Sequence, residues 1–146
     1  MTQEEKDLLL KDLCARLTYG VKAYVKNWSK LDRKYYEGVY TVESIHPSLN
    51  NILVYSERFS VEVIVGYYDY EIKPYLFPLS SMTEEQKKEY RKACDLDMGI
   101  LENSPMKGEP FPAMYNSQDW LDAHHFDYRG LIEKGLAIDA TDKNIY

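Results

Sequence analysis

The densest group of chemically able side chains is Asp119, Asp122, His124, His125 and Asp127, three carboxylates and two imidazoles within nine residues. Imidazole nitrogen and carboxylate oxygen are ligands that zinc, manganese and iron accept. Neighbouring residues on a helix point about 100° apart, so His124 and His125 cannot grip one ion from one face. Asp122 and His125, three apart, can share a face and form the candidate metal-ligating pair of a metal-dependent hydrolase. Such a site needs further ligands from elsewhere, because no His-x3-His or paired-cysteine motif accompanies them. The competing reading packs one histidine beneath Phe126 and Tyr128 and leaves the other solvated or hydrogen-bonded. Asp127 can accept from nearby backbone amides or pair with Arg129, and Gly130 can take a positive φ that ends the helix.

Other chemistry has little support. Cys14 and Cys94 fall in helical patterns on candidate inward faces and read as reduced core thiols. Neither has a histidine near it in sequence, and there is no Gly-x-Ser-x-Gly elbow. The seven glycines form neither a G-x-G-x-x-G nor a Walker pattern. No catalytic residue and no cofactor are expected.

Tyrosine is the compositional oddity, at 14 residues of 146. Tyr35, Tyr36, Tyr40, Tyr55, Tyr67, Tyr68, Tyr70 and Tyr75 crowd the middle of the chain. Tyrosine suits half-wet interfaces, being amphipathic and losing little entropy on contact. Residues 22–34 are locally +4 through Lys22, Lys26, Lys30, Arg33 and Lys34 against Asp32. Aromatic and basic residues together are what a nucleotide or single-stranded nucleic-acid surface uses. Tyr36, Tyr40, Tyr67, Tyr68, Lys22 and Lys26 are therefore the candidate binding residues. A structural reading packs the tyrosines in a small sheet and leaves the lysines to solvate its edge. The net charge of −6, with 24 acidic against 18 basic residues, sets a generic duplex-nucleic-acid clamp behind.

The elements that must position these residues change period along the chain. Thr2 and Glu5 form a capping box, and Leu9, Leu10, Leu13, Cys14 and Leu17 recur at helical spacing, with Asp12 off that stripe. Gly20 should end this helix. Val21, Ala23 and Val25 then alternate with Lys22, Tyr24 and Lys26 as a half-buried strand. Residues 35–45, 52–55 and 61–65 read as further strands, with a turn over 46–51. A possible fifth strand over 72–77 is broken by Pro74 and closed by Pro78. Thr83 and Gln86 form a second capping box for a helix to about Leu96. Residues 103–115 read as a Pro-rich connector, and Ser117 as the cap of a short helix packing back through Trp120 and Leu121.

The expected fold class is thus α+β: an N-terminal helix, a small antiparallel SH3-like or Sm-like barrel or bent sheet of about five strands, then a helical C-terminal extension. Residues 1–82 would form the helix and barrel, and residues 83–146 the extension, as one structural unit. The acidic start and the lack of an apolar run predict no signal peptide and no membrane span, hence a cytoplasmic protein.

Three phrases carry a resemblance: Lys73 to Glu85 (KPYLFPLSSMTEE), Asp119 to Ala137 (DWLDAHHFDYRGLIEKGLA) and Leu8 to Leu17 (LLLKDLCARL). The chain resembles an uncharacterised protein family of gut Bacteroidales and their phages in these blocks, about 40 residues in all. The resemblance implies a bacterial or phage-encoded cytoplasmic protein and carries over no activity and no functional residue. The expected function is a non-enzymatic protein-interaction module with an unidentified protein partner. The alternatives are a small-ligand or nucleotide binder using Tyr and Lys/Arg on the sheet, and the metal-dependent hydrolase above.

Overall fold

The computed structural model describes residues 2–29, 33–46, 51–56, 61–65, 70–103 and 116–146. The candidate residues Tyr67 and Tyr68, most of the 46–51 turn and nearly all of the Pro-rich connector lie outside the described residues.

Helix α1 spans Gln3–Arg16. Its start is the expected capping box: the Glu5 amide donates to Thr2 Oγ1 at 3.1 Å, and Glu5 Oε2 accepts from the Thr2 amide at 2.7 Å. One further tight turn ends at Gly20, whose φ of +67° admits glycine without strain. The strands are β1 (Lys22–Ser29), β2 (Lys34–His46), β3 (Asn51–Ser56), β4 (Val61–Val65) and β5 (Tyr70–Pro78). They lie in the order β4-β3-β2-β1-β5, each antiparallel to its neighbour. Helices α2 (Glu84–Asn103) and α3 (Asn116–Ala123) follow. Two-residue bridges, β6 (Phe126–Asp127) and β7 (Ile138–Asp139), then join β5 in parallel and make the sheet mixed. The fold is therefore α+β with a sheet that does not close into a barrel. Among the described residues no helix is long and apolar enough to cross a membrane.

Period 2 in β1 does what it predicts: Val21, Ala23 and Val25 are buried, while Lys22, Tyr24 and Lys26 lie half-buried on the opposite face. Leu9 and Leu13 of α1 pack on that inner face with Val21, Ala23, Val25, Tyr40, Val42 and Ile72. A second cluster joins Leu76 of β5 to Leu131, Leu136 and Ala137, with Leu8 of α1 against it. Helix α1 is thus wedged between the sheet and the C-terminal turns.

Four local expectations change. Pro74 does not break β5; it sits opposite Ala23, where the β1–β5 ladder ends, so its missing N–H removes no interior rung. Helix α2 runs past Leu96 to Asn103. Ser117 does not cap α3. Asp97 of α2 does, accepting from the Asn116 amide at 2.8 Å and the Ser117 amide at 3.0 Å. Burial pushes the Asp97 carboxyl up, but the Ser117 hydroxyl, which donates to Oδ2 at 2.5 Å, and these amides outweigh it and hold the group below its usual range. Cys14 is exposed rather than inward, and Cys94 is half-buried; both are free thiols. The buried stripe of α1 is Leu9, Asp12, Leu13 and Arg16, which turns Cys14 out of the contact.

Candidate functional site

Two regions hold the chemically able side chains. The first is the junction between α1 and residues 121–132. Asp12 and Arg16, one helical turn apart, are both wholly buried. Arg16 Nε donates to Asp12 Oδ2 at 2.9 Å and Nη2 to Oδ1 at 3.0 Å, a two-pronged pair. The same guanidinium donates to the Phe126 carbonyl at 2.7 Å and the Leu121 carbonyl at 3.4 Å. Arg129 returns to Asp12 Oδ1 at 2.7 Å. Asp122 completes the set: Tyr128 donates its hydroxyl to Asp122 Oδ1 at 2.8 Å, with Arg16 and Arg129 at 3.9 and 3.7 Å. One buried and one partly buried cation balance two buried anions, and the Tyr128 ring lies under the Arg129 guanidinium at 4.3 Å. Burial pushes the Asp122 carboxyl above its usual range against these partners. Burial and the bond to Asp122 push Tyr128 up to about 12.

Asp122 and His125, the candidate metal-ligating pair, are engaged separately in this arrangement. Asp122 is committed to Tyr128 and the two arginines. His125, three residues on, lies flat against the Tyr146 ring, with centroids 3.8 Å apart. His124 turns away to stack on Trp120 at 4.0 Å, and its Nδ1 meets the Trp120 carbonyl at 2.8 Å. Among the described residues no group of three or more His, Cys, Asp or Glu side chains is placed to hold a metal ion. The buried histidine is covered by Tyr146 rather than by Phe126 and Tyr128. Asp127 accepts from the Leu131 and Ile132 amides at 2.9 and 2.8 Å, and Gly130 takes φ +73°. That is the turn its sequence suggests, although α3 has already ended at Ala123.

His125 is the odd residue of this region. Its φ is +61°, its residue is 8% exposed, and its buried Nδ1 has no hydrogen-bond partner. Burial, with the Arg16 and His124 charges, lowers its pKa from 6.5 to about 4. Tyr146, which covers it, accepts from the Lys22 amide at 3.0 Å and donates to the Tyr75 carbonyl at 2.8 Å. Its hydroxyl so bridges β1 and β5 just beyond the Pro74 rung; the residue as a whole is 43% exposed, but burial around the phenol pushes it up to about 12.

The second region is the outer face of β2-β1-β5. Register places Lys22, Tyr24, Lys26 and Trp28 of β1 beside Thr41, Val39, Glu37 and Tyr35 of β2. On the other side Tyr24 faces Lys73 and Lys26 faces Glu71 of β5. Tyr35 is 53% exposed and Val39 42%. Lys26 Nζ lies 5.2 Å from the centre of the Tyr35 ring, and Trp28 meets that ring edge-on at 4.8 Å. Tyr24 donates to Glu37 at 2.6 Å, and Lys73 pairs with Glu71 at 3.0 Å.

The four described candidate binding residues do not form one surface. Lys22 and Lys26 lie on this outer face. Tyr40 is 3% exposed in the core beneath α1, and Tyr36 shares that inner side, half-buried under Lys34 Nζ at 4.9 Å. Even positions of β2 up to Val42, before the bulge between Val42 and Ser44, face the helix, so Tyr36 and Tyr40 could never accompany Lys22 and Lys26. The outer aromatics are Tyr24, Trp28 and Tyr35. Their signal was available as alternation with Lys22 and Lys26 along β1. The Asp12–Arg16–Arg129 set was also missed; its only sequence trace is the i, i+4 pair within the apolar stripe of α1.

The geometry thus defines an α+β chain with one helix-covered and one outward sheet face, pinned by a buried ion network. No protein-family model matches the chain, and no curated protein and no solved structure matches it.

Proposed function

We propose that the chain is a non-enzymatic protein-interaction module that binds a partner protein through the outer face of β2-β1-β5. The observation that carries this reading is the exposure of Tyr35 and Val39 on a face that also holds Tyr24 and Trp28. Aromatic side chains of this kind supply much of the binding energy at protein contacts. Charge favours a protein partner over a nucleic acid. Lys22, Lys26 and Lys73 share the face with Glu37 and Glu71, three cations against two anions, so the described part of this face is close to neutral. A phosphate backbone would meet carboxylates between the lysines. The cytoplasmic setting and the bacterial or phage origin implied by the resemblance belong to this proposal.

The test is quantitative affinity capture from the encoding organism with wild-type protein, Val39→Asp and Tyr35→Ser. A protein captured by wild type and lost with both variants, while their melting temperatures hold, supports the reading. Capture unaffected by either change, or tight binding of single-stranded oligonucleotide by wild type, overturns it.

A further inference from the structure

The sheet ends on one side at β4, and among the described residues no strand pairs with its outer edge. Edge strands in folded proteins usually carry devices against further pairing: charged side chains (lysine above all), a proline, a bulge or marked shortness. The sequence of β4, Val61-Glu62-Val63-Ile64-Val65, has a single charge, Glu62, and no lysine or proline, and its ladder to β3 runs without a register shift over five pairs. The hairpin is apolar in both alternating sets of positions at one end, and polar at the other, where Tyr55 pairs with Glu62 and Ser56 with Val61. Ile52 pairs with Val65 and Val54 with Val63 in one set, and Leu53 pairs with Ile64 in the other. Strands with such continuous apolar runs belong in the interior of a sheet, with both faces covered.

The strand is its own complement. Laid antiparallel against a copy of itself with Val63 on the two-fold axis, Val61 stands opposite Val65 and Val63 opposite Val63. Glu62 stands opposite Ile64. No like charges meet, whereas any strand with its lone charge at the centre would oppose that charge to itself. A two-fold contact of this kind is closed: each edge is used once and the assembly stops at two chains.

We infer that β4 pairs with β4 of a second copy of this chain, joining the two sheets into one continuous sheet about a two-fold axis through Val63. The contact uses main-chain groups for affinity and the valine pairs for register. It lies at the opposite edge of the sheet from β5, three strands beyond β1, so it stands independently of the proposed outer-face partner.

The experiment is sedimentation velocity over a concentration series with wild type, V63K, V63E and an equimolar mixture of the two variants. Far-ultraviolet circular dichroism confirms the fold of each. Wild type should sediment as a dimer. V63K and V63E should each be monomeric, because each sets two like charges opposite one another. Their mixture should return to a dimer containing one of each. I64K is the second handle: its ammonium falls opposite Glu62 of the other copy, so it should remain dimeric. A wild type that stays monomeric at every concentration overturns the inference. So does a dimer that survives in V63K or V63E alone, a mixture of folded variants that does not associate, or a folded I64K that is monomeric.

Discussion

The buried junction of α1 with residues 121–132 and the outer face of β2-β1-β5 use the same side-chain chemistry to opposite ends. Both set cations against carboxylates and tyrosines. At the junction Asp12 and Arg16 are wholly buried, and every carboxylate oxygen assigned a role has its own donor. On the outer face the pairs are exposed: Glu71 and Lys73 remain in contact with water, and Tyr35 is half uncovered. Removing charge from water makes a pair mandatory, because the alternative is an unpaired buried ion. Left in water, the same pair contributes little and leaves its residues free to meet something else. Density of charge alone therefore does not mark a site; the solvent around it separates a clamp from a contact surface.

The sharpest way to break this contrast is Arg16→Met. It leaves Arg129 as the one described cation against the Asp12 and Asp122 carboxylates and removes the donor of the Phe126 and Leu121 carbonyls. It should cost about 3–5 kcal/mol, as loss of one buried partner does, and denaturant unfolding will measure it. A loss below 1 kcal/mol would class the junction with surface pairs. The next effect is the pH response of His125. Its folded pKa of about 4 lies below the usual 6.5, so the unfolded chain binds more protons between these values. The stability its neutral form contributes is complete above pH 6.5 and is lost as pH falls towards 4. The denaturation midpoint should fall through that window in wild type. It should fall less in H125N, whose asparagine tolerates the φ of +61°.

These residues also mark how far the sequence could be read. The caps at Thr2 and Thr83, the alternation of β1 and the turn built on Asp127 were legible, because each depends on neighbours within five residues, and the α+β order followed from the change of period along the chain. The sheet order and the ion network were not. Asp12 looks like a solvated acid when only α1 is considered. It is buried because Arg129 arrives from 117 residues away. Asp122 and His125 looked like a ligand pair because spacing shows what can share a face, not what already occupies it. Pro74 looked like a strand breaker because its place at the end of the β1–β5 ladder is a property of register, which the local sequence does not contain.

Two changes of intermediate size test whether the junction depends on its turn as well as its charges. Asp127→Ala removes the acceptor of two backbone amides, one of them buried, and should cost about 1–3 kcal/mol. Gly130→Ala should cost about 1 kcal/mol from the backbone alone, since φ is +73° and nothing lies within 4 Å of an added Cβ. Gly38→Ala in β2 is the control. Its added Cβ meets only Tyr40 Cε2, at 3.7 Å, and the change should be neutral or stabilising by about 0.5 kcal/mol. If both glycine changes cost the same, the turn owes nothing to its left-handed residue.

The smallest effect bears most directly on function, and the same substitution on the two faces of one sheet reads it. Val25→Thr places a hydroxyl where the side chain is 1% exposed, in the layer under α1, and should cost about 1–3 kcal/mol for an unpaired buried polar group. Val39→Thr changes a side chain that is 42% exposed, in a strand that favours threonine as readily as valine, and should stay within about 0.5 kcal/mol. A near-zero cost at Val39 means that the isolated chain gains nothing from valine there. Should V39T nonetheless weaken capture of the partner, the valine serves binding. Should V39T instead destabilise the isolated chain as much as V25T, that face is already covered within the molecule and the proposed partner surface is lost.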